Sequence, residues 1–256
     1  MSDHLNLRGR RALEAGHTPA AIARRLAGET SHNYLRDVVF GAIDGTVTTF
    51  AIVAGVAGAG LSGGVALVLG LANLLADGFS MAASNYLGTK SEHELVERAR
   101  EVEAAHIQQV PHGEREEIRQ IFAAKGFEGE LLEQVVDVIT TDRRRWIDTM
   151  ITEEFGLRLA GPSPLQAASW TFGAFVVAGA VPLVPLVLGG EGWSAQQRFL
   201  TSAVATAATF FLIGLLKGYA ADRPLARSAI ETLLVGGGAA ALAYLVGMWL
   251  KGIAAG

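Results

Sequence analysis

Long apolar runs dominate the pattern of hydrophobic and polar positions along this chain. A helix that crosses a bilayer needs about 20 predominantly apolar residues, and five stretches of the sequence meet that requirement. They cover approximately residues 38–60, 64–87, 165–188, 199–219 and 229–250. The pattern therefore predicts an all-α membrane protein with five transmembrane helices.

A polar segment, residues 89–164 (the insert), separates the second predicted span from the third. It is rich in Glu, Arg and Gln, and its apolar residues recur at helical spacing from Ile118 to Ile139. Neither proline nor glycine lies between Thr89 and Val110, so the second span is expected to leave the membrane as one rod. The expected regions are a basic N-terminal segment (1–37), two spans (38–88), a three-helix metal-binding insert (89–164) and three spans (165–256).

Basic residues fall on one side of this predicted topology. The chain is 50% hydrophobic and 18% charged, and the side opposite the insert carries only Arg198 and Lys251. Cytoplasmic loops of membrane proteins carry an excess of Lys and Arg, so the N-terminus and the insert are expected in the cytoplasm. This bias, with no apolar targeting segment near the start, fits a bacterial inner membrane. The absence of cysteine excludes disulfides and thiolate metal sites.

Two carboxylates fall inside predicted spans, Asp44 in the first and Asp77 in the second. A charged side chain at the bilayer centre costs about 3 kcal/mol or more, so by default it indicates an ion or proton path. Asn73, Asp77 and Met81 recur every four residues and share one helix face, which suits a cation path. The alternatives are an interfacial position for Asp44, an interhelical hydrogen bond for Asp77 and ordinary packing for Met81.

Three pairs of potential metal ligands lie in the insert. They are Glu103 with His106, Glu114 with Glu117, and Met150 with Glu154. Spacings of three or four residues place both members on one helix face, and stacked carboxylates repel unless a cation lies between them. Oxygen ligands with an imidazole and a thioether suit a divalent metal such as Fe²⁺ or Mn²⁺. The alternative is a solvated, Glu-rich surface paired with arginine. The arginines available for such pairs are Arg98, Arg100, Arg115 and Arg119.

The runs DGTVTTFAIVAGVAGA and GLANLLADGFSMAASNYLGTKSE resemble the vacuolar iron transporter family, as do EVEAAHIQQVP, EREEI and WIDTMITEEFGL in the insert. The resemblance covers about residues 33–250. It implies a dimeric exporter that moves Fe²⁺, and often Mn²⁺, out of the cytosol in exchange for protons. The family's ion-path aspartate and methionine, at the dimer interface, fall on Asp44 and Met81. Its metal-binding glutamates and methionine fall on Glu103, Glu114, Glu117, Met150 and Glu154.

Two positions depart from the family pattern. A family glutamate falls on His106, whose imidazole still binds Fe²⁺ but lowers the charge of the site and makes its loading pH-sensitive. A second-span carboxylate of the family falls on Asn73, which carries no proton, and Asp77 one turn away is the candidate replacement. Gly55 and Gly58 are expected to let the first spans of two subunits approach closely.

These inferences indicate a proton-coupled exporter of Fe²⁺ or Mn²⁺ that acts as a homodimer in a lipid bilayer. The metal is bound and transported, and no prosthetic group is expected. No nucleophile–base set, phosphate loop or nucleotide motif stands out, so neither an enzyme nor a nucleic-acid partner is expected. The alternatives are a passive divalent-cation channel, a membrane-anchored metal sensor or buffer, and a structural membrane protein with solvated glutamates.

Overall fold

The structure, a computed structural model, describes residues 14–27, 33–190 and 192–254. The chain divides into a first unit, residues 1–33, and a second unit, residues 34–256. In the first unit, helix α1 spans Pro19–Ala27, and the Ala21 N–H donates to the Thr18 hydroxyl at 3.3 Å. This is the helix start that a threonine followed by proline predicts. Residues 1–13 and 28–32 of the predicted basic N-terminal segment (1–37) lie outside the described residues.

The second unit is helical throughout its regular elements. Its helices are α2 (Leu35–Ala59), α3 (Gly63–Gln109), α4 (Pro111–Ala124), α5 (Gly129–Thr140), α6 (Arg143–Glu153), α7 (Pro164–Ala180), α8 (Val184–Leu188), α9 (Ala195–Ala220) and α10 (Leu225–Ala254). Five stretches are long and apolar enough to cross a membrane. Four of them are the single helices α2, α3, α9 and α10, and the fifth consists of α7 and α8 together. The predicted all-α membrane fold with five spanning helices is therefore confirmed for the described part of the chain.

Helix α3 is a single rod of 47 residues. Ser62 caps its start by accepting a hydrogen bond from the Val65 N–H at 3.4 Å, and Pro111 begins α4 just beyond its end. At 1.5 Å per residue the rod is about 70 Å long, roughly twice the thickness of a bilayer core. The expected continuation of the second span into the insert is therefore present.

The third span is not one regular helix. Helix α7 ends at Ala180, a 3₁₀ turn covers Val181–Leu183, and α8 follows. Pro182 and Pro185 cause the break, because proline lacks a backbone donor and clashes with the preceding helical turn. The Ser202 hydroxyl of α9 donates to the Pro182 carbonyl at 2.6 Å. A neighbouring helix thus satisfies a carbonyl at the break, as the membrane interior requires.

Glycines bring α2 into backbone contact with two other spans. A Cβ on Gly45 would collide with the Phe175 carbonyl of α7, and a Cβ on Gly58 would collide with the Tyr244 carbonyl of α10. The carbonyl of Gly55 similarly leaves no room for a side chain at residue 247 of α10. The expectation that Gly55 and Gly58 join two subunits is therefore wrong, because α10 of the same chain covers them.

The insert contains one helical segment more than the three expected. These segments are the end of α3, then α4, α5 and α6. The apolar pattern runs on through residues 131–151, but Asp142 interrupts it. Its carboxylate accepts hydrogen bonds from the N–H groups of Arg144 and Arg145 at 2.9 and 3.0 Å and so caps a new helix.

Two apolar clusters hold the insert together. The first joins α4, α5 and α6 and contains Ile118, Leu132, Val136, Ile139, Trp146 and Met150. The second packs α6 against α3 through Val96, Ala99, Ile147 and Ile151. Because α6 is fixed to α3 and α4 is fixed to α6, the helix faces near the α3–α4 break have a defined arrangement.

Candidate metal centre and membrane path

Three potential ligands meet at the break between α3 and α4. Glu103 and His106 lie near the end of α3, and Glu114 lies in the first turn of α4. The Nδ1 atom of His106 is 3.6 Å from Oε1 of Glu103 and 3.3 Å from Oε1 of Glu114. One ligand atom from each side chain lies within 4.8 Å of the other two. One divalent ion can bridge that separation, since its oxygen ligands sit about 2.0–2.6 Å from the metal.

Burial makes the two carboxylates unusual. Glu103 is 1% exposed and Glu114 is 3% exposed, whereas the His106 side chain is 52% exposed. The Oε2 atoms of both glutamates are buried and have no hydrogen-bond partner among the described residues. Buried carboxylates are costly unless they are paired, protonated or bound to a cation. The site therefore favours binding of a proton or a metal ion.

The glutamates influence one another electrostatically. Burial, and then the nearby Glu114 and Glu154, raise the pKa of Glu103 to about 8. Burial and Glu117 raise the pKa of Glu114, while a hydrogen bond from Glu103 and the nearby His106 oppose that rise. Burial, Glu117 and Glu114 also raise the pKa of Glu154. The four predicted glutamates and the histidine thus form one acidic group at the junction of α3, α4 and α6.

The arginines that could have neutralised these glutamates pair elsewhere. Their closest carboxylates are Glu101 for Arg98, Glu97 and Asp148 for Arg100, Glu133 and Asp137 for Arg115, and Glu116 for Arg119. Within residues 33–190, none of these four arginines forms an ion pair with a predicted ligand. A solvated, arginine-paired surface therefore does not describe Glu103 and Glu114, which are buried, whereas Glu117 and Glu154 are exposed.

Met150 lies next to the acidic group along α6, four residues before Glu154. Its side chain is fully buried in the apolar core with Ile118, which follows Glu114 by one turn of α4. The structure therefore places Met150 in the core that borders the carboxylates, and the apolar core explains its burial.

A second polar feature, the polar ladder, joins α2 to α3 within the membrane. The Asn85 amide donates to Asp37 at 2.8 Å, and the Asn73 amide donates to the Thr48 hydroxyl at 3.3 Å. Between these two contacts, Asp44 and Asp77 are close enough to interact electrostatically. The ladder thus contains Asp37, Asp44 and Thr48 on α2, and Asn73, Asp77 and Asn85 on α3.

Met81 belongs to the same face of α3 as the ladder, between Asp77 and Asn85. Its side chain is half-buried, as is that of Asp44, whereas Asp77 is exposed on the surface of the chain. The structure therefore brings the four predicted membrane residues to one pair of helices. A lipid-exposed carboxylate is unfavourable, so the surface around Asp77 is suited to water or to another protein surface.

Sequence reasoning missed Asp37, Thr48 and Asn85. Their signal was present, because Asp37 precedes Asp44 by seven residues and Asn85 follows Met81 by four. Both intervals return to the same helix face. Asn85 also donates to the buried Thr171 hydroxyl of α7 at 2.7 Å, and that long-range contact has no sequence signal.

A helical bundle with five spanning helices, a polar ladder and an acidic cluster is a multi-pass membrane protein equipped to handle cations. The VIT family model matches residues 35–248. The chain is 34% identical to the vacuolar iron transporter of Toxoplasma gondii over 97% of this chain and 87% of that protein. It is 33% identical to vacuolar iron transporter 1 of Arabidopsis thaliana over 84% of this chain and 85% of the plant protein.

A second protozoan relative, the vacuolar iron transporter of Plasmodium berghei, is 28% identical over 86% of this chain and 83% of its own length. This chain therefore belongs to the VIT family. It is a multi-pass membrane protein of metal-ion transport and not an enzyme.

Proposed function

We propose that the chain exports Fe²⁺, and Mn²⁺ as a second substrate, from the cytosol in exchange for protons. The insert is the cytoplasmic metal-binding domain, and the polar ladder with Met81 is the path through the membrane. Iron is supported by the names of three relatives, each a vacuolar iron transporter. Carboxylate oxygens with an imidazole and a thioether are also donors that suit Fe²⁺ and Mn²⁺.

The observation that carries the proposal is that α3 bears both polar sites. Glu103 and His106 lie near its end in the insert, and Asn73, Asp77 and Met81 lie in its membrane-spanning part. Met81 and Glu103 are 22 residues apart, which is about 33 Å along a helix. One ion cannot occupy both sites, so the insert collects metal and the ladder passes it on.

A homodimer completes the path in this proposal. Asp77 is exposed within a span, and Leu71, Leu75 and Phe79 beside it on α3 are 47%, 62% and 70% exposed. A second copy placed on this face would remove Asp77 from lipid and bring two sets of Asp44 and Met81 together. Several carboxylates around one ion supply the negative charge that offsets the loss of its hydration shell.

Proton coupling is assigned to Asp44 and Asp77. Asn73 donates to Thr48 and carries no ionisable proton, so it cannot replace the carboxylate that the family resemblance implies there. The two aspartates interact across the helix pair. Two nearby carboxylates bind a proton or a metal ion more favourably than both remain charged, and arrival of a proton would displace the metal.

The test is metal flux into proteoliposomes that contain a pH-sensitive dye. Wild type, Asp44→Asn and Glu101→Gln are compared; Glu101 is a matched control because it is 72% exposed on the insert surface. The proposal expects Fe²⁺ movement with opposite proton movement in wild type and in the control, and neither in Asp44→Asn.

Two results would contradict it. Metal flux that dissipates a gradient without any proton movement would make the chain a passive channel. Stoichiometric metal binding without flux under any gradient would make it a membrane-anchored sensor or buffer.

A further inference from the structure

A cavity of about 560 Å³ lies at the end of the membrane bundle opposite the insert. The end of α2, the start of α3 and parts of α8, α9 and α10 form its wall. Its lining is mainly apolar and includes Val53, Val56, Ala57, Leu186, Phe199 and Tyr244. The volume falls in the range of ordinary small-molecule sites.

Stacked aromatic rings form one wall of this cavity. The Phe199 ring stacks on Phe50 at a centroid distance of 6.2 Å and on Tyr244 at 6.0 Å. Three rings from α9, α2 and α10 therefore brace one another, and offset stacking of this kind adds stability beyond the buried area. The stacked rings give this wall of the cavity a defined shape.

Two basic residues lie at or beside its lining. Arg198 lines the cavity; its Nη2 donates to the Gly190 carbonyl at 3.1 Å, and its buried Nε has no partner among the described residues. Gly60 also lines the cavity, and the Lys251 Nζ lies 3.5 Å from the position that a Cβ on Gly60 would take. Neither Arg198 nor Lys251 forms an ion pair with a carboxylate within residues 33–190 and 192–254.

Among the described residues, Arg198 and Lys251 are the basic residues at this end of the bundle. Lys and Arg are in excess in cytoplasmic loops and scarce on the opposite side of a membrane protein. The presence of both scarce basic residues beside one apolar cavity therefore indicates a ligand with negative charge. Two positive charges would repel Fe²⁺ or Mn²⁺ and disfavour a metal exit through this space. An anion with an apolar tail can pair its charge with the two basic residues and pack its tail against the apolar lining.

We propose that this cavity binds one anionic phospholipid. The headgroup phosphate contacts Arg198 and Lys251, and one acyl chain enters the space between Val53, Ala57 and Phe199. Trp193, another lining residue, is 43% exposed, which suits the headgroup region where tryptophan is enriched. The site is separate from the acidic cluster and from the ladder, and it exists whether or not the chain exports metal.

The test is native mass spectrometry of the full chain, extracted from membranes that contain phosphatidylglycerol and phosphatidylcholine in equal amounts. Wild type is expected to retain one phosphatidylglycerol per chain in preference to phosphatidylcholine. Arg198→Gln with Lys251→Gln is expected to lower that retention about thirtyfold, because each basic residue near an anionic lipid contributes about fivefold. Ala57→Phe, which fills the acyl space, is expected to lower it as well.

Arg98→Gln with Arg144→Gln removes the same charge from side chains that are 75% and 89% exposed on the insert, and should retain the lipid. The charge-preserving exchange Arg198→Lys with Lys251→Arg should also retain it, which separates binding from misfolding. Equal retention of the two lipids by wild type would overturn the proposal. Unchanged retention of phosphatidylglycerol in both the Arg198→Gln, Lys251→Gln variant and the Ala57→Phe variant would also overturn it.

Discussion

The two polar sites on α3 differ in how their polar groups are hydrogen-bonded. In the insert, Glu103 and Glu114 each keep a buried oxygen without a partner. In the membrane, Asp37 and Thr48 accept hydrogen bonds from the amides of Asn85 and Asn73. The insert site is incomplete without a proton or a cation, whereas uncharged amides satisfy Asp37 and Thr48 in the ladder and leave Asp44 and Asp77 as its interacting carboxylates. That difference suits capture of an ion in the first site and its passage through the second.

Removal of the two buried carboxylates should have the largest effect. Glu103→Gln with Glu114→Gln keeps the shape of the cluster but deletes two anionic ligands, so affinity for Mn²⁺ or Fe²⁺ should fall more than about a hundredfold, beyond the loss usual for outer-shell changes. Isothermal titration calorimetry of the purified protein measures this affinity. Glu133→Gln, which removes a carboxylate paired with Arg115, is the control and should bind as wild type does. Equal affinity of the double variant and wild type would move the metal site away from the α3–α4 break.

The ladder should respond to loss of charge at its end nearest the insert. Asp37→Asn keeps an oxygen that can accept from Asn85 and removes only the negative charge, so initial metal flux should fall about tenfold, or about 1.4 kcal/mol in the barrier. Metal binding by the insert should stay unchanged. Thr171→Val removes the other acceptor for Asn85 without altering charge, and its flux should change much less. If both variants lose flux equally, Asp37 acts through packing and not through charge.

Features set by local sequence were predictable, whereas features set by neighbouring helices were not. Spans and the α3 rod were predictable, because apolar length and the absence of proline or glycine between Thr89 and Val110 act locally. The break at Pro182 was visible as a residue type, yet its repair by Ser202 depends on a neighbouring helix. Gly55 and Gly58 were correctly seen as sites of close approach, but glycine does not specify its partner, which is α10.

For the acidic cluster, spacing predicted the helix faces and the family resemblance selected the residues. Spacing alone favoured a solvated surface paired with arginine over a metal site. In the structure, Arg115 and Arg119 pair with Asp137 and Glu116, and Glu103 and Glu114 are buried without an arginine partner among the described residues. Burial of Glu103 and Glu114 depends on how α3, α4 and α6 pack, and helix packing is a tertiary property that periodicity does not encode.

The raised pKa of Glu103 should make the metal-free protein less stable as pH rises. Its folded-state pKa is about 8 against an ordinary value of 4.5, so the folded state holds more protons than the unfolded state between those pH values. Stability is therefore fully present below about pH 4.5 and is lost as pH rises to about 8. Thermal unfolding in detergent with a chelator should show a lower midpoint at pH 8 than at pH 5. Glu103→Gln should flatten that dependence, and Mn²⁺ at pH 8 should raise the wild-type midpoint. A midpoint that rises between pH 5 and pH 8 in the chelated wild type would contradict the unpaired burial of Glu103.

The smallest effect is expected at His106, where the family resemblance implies a glutamate. His106→Glu adds a carboxylate beside the two buried ones, because the His106 Nδ1 lies 3.6 and 3.3 Å from them. The side chain at this position is half-exposed, so water can solvate the added charge. Attraction for Mn²⁺ should rise several-fold at neutral pH, while the added repulsion should lower the midpoint of the metal-free protein. His106→Gln removes the imidazole without adding charge and should weaken Mn²⁺ binding. Titration calorimetry and thermal unfolding with and without metal test both variants. An increase in affinity for both would show that His106 obstructs the site, whereas opposite changes would show that the imidazole is a ligand of lower charge.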